Sequence, residues 1–126
     1  MTVHHLLIVM LGGGLGSASR YAVSLLTARL WGTGFPWGTL IVNLGGCFLI
    51  GLIFGLAERV RILTPDMRLF LMVGYLGGLT TFSTYCLETM SMGRSGLSIE
   101  FWANILVSNA AGLGLILMGM WAAGIR

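Results

Sequence analysis

The chain has 126 residues, 56% hydrophobic and 9% charged, with a net charge of +3, and its mean hydropathy is +0.93. Soluble domains carry roughly a quarter charged residues, so this composition excludes a water-soluble domain and defines an integral membrane protein. No nucleic-acid partner is expected.

Four apolar runs, residues 5–30, 37–57, 67–90 and 99–124, divide the chain. Each reaches the roughly 20 residues needed to cross hydrocarbon as a helix. They predict an all-α fold: a single four-helix transmembrane domain over residues 1–126. The first run has no charged start, carries Arg20 late in its course and lacks a clear cleavage site, so it reads as a mature helix and not a signal peptide. Arg20 fits a snorkelling or paired residue near an interface, and would also raise the positive potential of a vestibule.

The connections are short. Residues 29–36 join the first two spans, ERVRILTPD (residues 58–66) the middle two, and SMGRSGLS (residues 91–98) the last two. Trp31, Trp37, Trp102 and Trp121 fall near the span limits, where indole rings anchor at headgroup level. Chain crossing places Arg59, Arg61, Arg68 and Arg126 on one side, against Arg29 and Arg94, with Arg20 leaning toward the latter pair. The bias leans toward cytoplasmic termini but is weak. It is compatible equally with a fixed topology and with insertion in both directions, which allows antiparallel self-pairing. Gly12 and Gly16, Gly51 and Gly55, and Gly74 and Gly78 are spaced G-x-x-x-G, and close helix packing is the expected role of most of the twenty glycines.

Polar residues inside the spans carry more information. Asn43 lies in the second span, Glu88 in the third, and Asn104, Ser108 and Asn109 in the fourth. Left to lipid, each amide or charge is costly, so it faces a partner or a wet cavity. Taken singly, Ser108 or Asn109 reads as an interhelical hydrogen bond. Cys47 and Cys86 sit within spans and give no disulfide or metal signature. His4 and His5 stand together near the N-terminus with no matching Cys, Asp or Glu cluster, so no enzyme is expected.

The third span contains GGLTTFSTY (residues 77–85), with Gly77 and Gly78 followed by the hydroxyls of Thr80, Thr81, Ser83 and Thr84. These residues weaken a helix, and non-helical backbone at membrane depth is tolerated where protein encloses it or it lines a cavity. A third helix broken near its middle would free carbonyl oxygens for a small hard cation. If the helix resumes at Phe82, that ring and Tyr85 share a face. Ring edges, hydroxyls and amides together replace part of an anion's hydration shell.

Three segments, GGGLGSASRY (residues 12–21), GTLIVNLGG (residues 38–46) and GYLGGLTTFSTYCLE (residues 74–88), resemble the signatures of the Fluc, or CrcB-like, fluoride channels, in order and at fitting spacing. The resemblance covers nearly the whole chain. It implies an antiparallel dual-topology homodimer in a bacterial-type inner (cell) membrane, with two pores that export fluoride passively and confer fluoride resistance. It also implies a structural Na+ at the dimer centre, held by the backbone carbonyls matched here by Gly77 and Thr80. Phe82 matches a pore phenylalanine and Asn43 the pore asparagine, while Ser108 takes a fourth-helix hydroxyl position that Asn109 would fill if the register differs by one.

Asn104, Asn109, Arg20 and Thr84 are further pathway candidates. Tyr85 stands where the family usually has a second phenylalanine, and Gly112 and Ile116 stand where related channels often place hydroxyls. These departures leave a heterodimer open, with this chain as a non-conducting partner. Glu88 supports a second reading, a small four-helix proton-coupled multidrug-type antiporter, although its place near the span's end favours a structural or vestibule role.

Overall fold

Hydrocarbon offers backbone amides no water, so long apolar runs must satisfy their own N–H and C=O groups as helices. In a computed structural model that describes residues 2–60 and 62–125, the described residues form helices joined by short turns, with no strand among them. Four helices are long and apolar enough to cross a membrane: α1 (Val3–Trp31), α2 (Trp37–Val60), α3 (Pro65–Arg94) and α4 (Ser98–Ala122). The chain is a multi-pass membrane protein. Arg61 and Arg126, two of the arginines expected to orient it, lie outside the described residues.

Local chemistry sets the ends of these helices. α1 stops at Gly32, which adopts φ +77° while its N–H bonds the Ala28 carbonyl at 3.0 Å. The turn that follows is packed by Trp37 against Trp31 and Phe35, with ring centroids 5.8 and 4.8 Å apart. Thr64 caps α3 by accepting the Met67 N–H at 3.2 Å, with Pro65 in the first turn, where a missing N–H costs nothing. Arg68 donates to the Ala57 carbonyl at 2.7 Å and Arg59 to the Ala123 carbonyl at 3.3 Å, so two cations close the C-terminal ends of α2 and α4. His4, which looks isolated in the sequence, bonds Asp66 at 2.8 Å across 62 positions. The contacts of Thr64, Arg68, Arg59 and His4 gather at one end of the bundle, opposite the Gly32 turn, as an up-down chain of four spans requires.

α1 packs on the first half of α3, and α2 on the C-terminal half of α4. Glycine makes both crossings close. A Cβ added at Gly12 would lie 2.7 Å from the Phe70 carbonyl oxygen and one at Gly74 3.1 Å from Gly12 Cα, while one at Gly16 would run into the Tyr75 carbonyl. At the other crossing, a Cβ at Gly51 would meet the Ile116 carbonyl and one at Gly119 that of Phe48. Between the crossings sits a small core of Val42, Leu76 and Leu79, flanked by Val23, Ile50, Ile53 and Tyr75. Leu7, Leu11, Leu15, Leu113 and Leu117 are exposed, as lipid-facing residues are.

α3 and α4 are not uniform. The backbone widens over Leu69–Tyr75 in α3 and over Val107–Ala111 in α4, where hydrogen bonds skip five residues instead of four. Regular helix in α3 ends at Leu79, Thr80 is extended (φ −83°, ψ 157°), and the helix resumes at Ser83.

Candidate functional site

The interval between Leu79 and Ser83 organises the site. The Asn43 amide binds the Thr81 backbone with both of its ends: Nδ2 donates to the Thr81 carbonyl at 2.9 Å, and Oδ1 accepts the Thr81 N–H at 2.8 Å. In a continuous helix the Thr81 N–H would go to the Gly77 carbonyl. One turn on, the Thr84 N–H bonds Thr81 Oγ1 at 3.3 Å, where a continuous helix would send it to the Thr80 carbonyl. The carbonyls of Gly77 and Thr80 thus lose their helical donors to side chains. These are the donor types a small hard cation takes, and they are the two positions singled out for one above.

A half-open pocket of about 530 Å³ lies beside this interval, lined by Asn43, Gly77, Thr80, Phe82 and Tyr85 together with Ser108 and Asn109. Phe82 and Tyr85 face each other with centroids 5.8 Å apart and an interplanar angle of 41°. Phe82 is 76% exposed on the single chain. Ser108 and Asn109, neighbours within the widened turn of α4, both line the pocket.

Behind the pocket runs a chain of side-chain hydrogen bonds. Ser108 Oγ donates to Asn104 Oδ1 at 3.3 Å, Asn104 Nδ2 to Thr89 Oγ1 at 2.8 Å, and Thr89 Oγ1 to the Tyr85 carbonyl at 2.7 Å. Asn109 Nδ2 donates to the Ile105 carbonyl at 2.7 Å and to the Tyr85 hydroxyl at 3.2 Å. Asn104 is buried and stands behind the lining, and Thr84 is engaged with Thr81. Arg20, half-buried on α1, is not among the lining residues. Thr89 was not singled out in the sequence, although its spacing of four from Tyr85 was a signal for back-bonding to that carbonyl.

Glu88 lies elsewhere, on a second cavity of about 490 Å³ with Ser24, Thr27, Thr39 and Ser91. Its Oε2 is buried without a hydrogen-bond partner among the described residues. Tyr75 and Ser19 join α3 to α1 by a 3.2 Å hydrogen bond outside both cavities.

The fold and site define a small multi-pass membrane protein in which polar side chains are gathered around an interrupted helix. Comparison with known proteins narrows this class. The family model described as CrcB-like protein, Camphor Resistance (CrcB), matches residues 7–120. A relative from Phocaeicola vulgatus, named fluoride-specific ion channel FluC, is 42% identical over 116 residues, covering 92% of this chain and 95% of its own. One of the same name from Hahella chejuensis is 45% identical over 108 residues, covering 86% and 85%. Another from a Geobacter species is 40% identical over 121 residues, covering 96% and 98%. The chain belongs to the CrcB-like family, whose named relatives are channels and not enzymes.

Proposed function

We propose that this chain is a fluoride-selective channel giving passive efflux of fluoride from the cytoplasm across the cell (inner) membrane, and so fluoride resistance. The observation that carries the reading is the Asn43 clamp on Thr81, which sits beside a pocket of ring edges and hydrogen-bond donors in a chain similar throughout to channels of that name. Fluoride is small and tightly hydrated, so it leaves water only where several close donors replace its shell. One N–H of Asn43 remains after its bond to Thr81, and the Tyr85 hydroxyl and the positive edges of Phe82 and Tyr85 add to it. Chloride is larger and a weaker acceptor, and gains less from the same groups. A passive exit suffices biologically because hydrogen fluoride, a weak acid, enters neutral and is trapped as the ion at cytoplasmic pH.

The functional unit in this proposal is an antiparallel dual-topology homodimer with two pores. The sparse arginines support insertion in both directions. The exposed Phe82 ring supports a second chain over the pocket. A sodium ion at the dimer centre, held by the Gly77 and Thr80 carbonyls, would supply a fixed positive charge for carbonyl dipoles that have lost their helical donors. Binding to the folded state alone stabilises it by about 2.7 kcal/mol at a hundredfold excess over Kd. The thermal midpoint of the purified protein is therefore expected to be several degrees higher in sodium than in choline; identical midpoints would remove the ion from the proposal.

The proposal is tested by reconstituting the chain alone in liposomes and following efflux with fluoride- and chloride-selective electrodes. Fast fluoride release with little chloride is expected, and Phe82→Ile should slow it sharply while the protein remains a folded dimer. Unchanged flux in that variant would remove the ring from the pathway. No release from folded wild-type protein would instead favour an obligate partner chain, consistent with Tyr85, Gly112 and Ile116 at positions where related channels carry other residues.

A further inference from the structure

The hydrogen bonds around the pocket have forced directions. The Tyr85 carbonyl only accepts, so Thr89 spends its single proton there and must accept from Asn104. That contact orients the Asn104 amide: Nδ2 faces Thr89 and Oδ1 faces Ser108. Since Oδ1 only accepts, Ser108 commits its proton to Asn104 and turns lone pairs toward the pocket. The opposite holds at Tyr85. Asn109 Nδ2 points at the Ile105 carbonyl, which fixes that amide as well, and its second proton goes to the Tyr85 oxygen. The phenolic proton has no acceptor among the described residues.

From this geometry we infer that two amides divide the donors of the pocket, Asn109 presenting the Tyr85 hydroxyl as the proton donor to the permeating anion and Asn104 withholding that of Ser108. Tyr85 touches the anion; Asn104 and Asn109 are positioning residues. The inference rests on reading this pocket as a fluoride pathway. Asn104 acts through a hydroxyl and makes no contact with the anion, while Asn109, which also lines the pocket, acts by fixing the Tyr85 hydroxyl. Asn104 is only 1% exposed, so it acts from inside the protein, beyond reach of the permeant.

A hydroxyl donor aimed at a small anion rewards short approach, so Tyr85 also serves discrimination against chloride. Its loss shifts concentration dependence and selectivity, whereas a merely structural change lowers the amount of active channel and leaves both ratios intact.

The test measures initial fluoride efflux against internal fluoride concentration for the reconstituted full chain. Tyr85→Phe is expected to raise the half-saturating concentration about tenfold, the scale of one hydrogen bond to an ion, and to lower the fluoride-to-chloride ratio. Ser108→Ala should raise the half-saturating concentration less than Tyr85→Phe does, because its proton is already committed. Adding Asn104→Ala to Tyr85→Phe releases the Ser108 proton and should recover part of the loss.

Wild-type half-saturation in Tyr85→Phe, or a larger shift in Ser108→Ala than in Tyr85→Phe, overturns the inference. The comparison of those two conservative variants decides it even if Asn104→Ala does not fold. Wild-type protein that releases no fluoride defeats the underlying functional proposal; wild-type release with an unaffected Tyr85→Phe defeats the donor assignment alone.

Discussion

Asn43→Leu is expected to reduce fluoride release at least about 30-fold, by closing the irregular interval in α3, with no need to block the pocket. The variant strips partners from both the N–H and the carbonyl of Thr81, which Asn43 holds at 2.8 and 2.9 Å. A backbone group left unsatisfied away from water costs about 1–3 kcal/mol. Two such groups therefore disfavour the extended conformation by roughly 2–6 kcal/mol, or tenfold in population for each ~1.4 kcal/mol. The nearest replacement acceptor for the Thr81 N–H is the Gly77 carbonyl four residues back, so the chain recovers its hydrogen bond by straightening. That movement also withdraws a carbonyl from the proposed sodium site.

Two readouts should consequently change together in Asn43→Leu: release falls toward background, and the difference in thermal midpoint between sodium and choline disappears. Near-wild-type release with the sodium effect intact would show that Asn43 does not hold the interval open. Loss of release with the sodium effect intact would give Asn43 a role at the anion only. Leucine is close enough to asparagine in shape that gross misfolding is not the expected cause of either result.

The four spans were legible because length and apolar composition dictate them; α1 is only a few residues longer than read, from Val3 to Trp31. The weakness of residues 77–85 was also legible, since two glycines followed by clustered hydroxyls oppose a regular helix wherever they occur. What holds that segment was not. Asn43 and Thr81 are 38 positions apart and share no local periodicity, so their pairing exists only once α2 lies beside α3. The register of the fourth span stayed open between Ser108 and Asn109, and in the fold both line the pocket from the widened turn at Val107–Ala111. Asn104, expected as a pathway candidate, stands a layer back, where it orients Ser108. G-x-x-x-G spacing announced close packing at Gly12 and Gly16, but not that Gly12 would meet Gly74 and Gly16 the backbone of Tyr75 and Leu79.

Gly16→Val should be the most damaging single change to the fold. A Cβ at Gly16 would run into the Tyr75 carbonyl oxygen and lie 2.8 Å from the Leu79 amide nitrogen and 3.0 Å from the Tyr75 carbonyl carbon. All three are backbone atoms, so no side-chain rotation can make room and α1 must move away from α3 as a body. Overpacking of a tight site costs about 1–3 kcal/mol or more, and here it also removes the contacts that position Leu79, the last regular residue before the extended Thr80. The variant is expected to lose most of its monodisperse yield in detergent, and whatever folds should melt well below wild type and release little fluoride. Gly14→Ala is the matched control: nothing lies within 4 Å of a Cβ there, and replacing a helical glycine by alanine gains about 0.4–1 kcal/mol where the conformation permits. Wild-type yield and midpoint in Gly16→Val would mean that α1 and α3 do not cross at this distance, whereas loss in Gly14→Ala as well would assign the defect to helix 1 itself and not to the crossing.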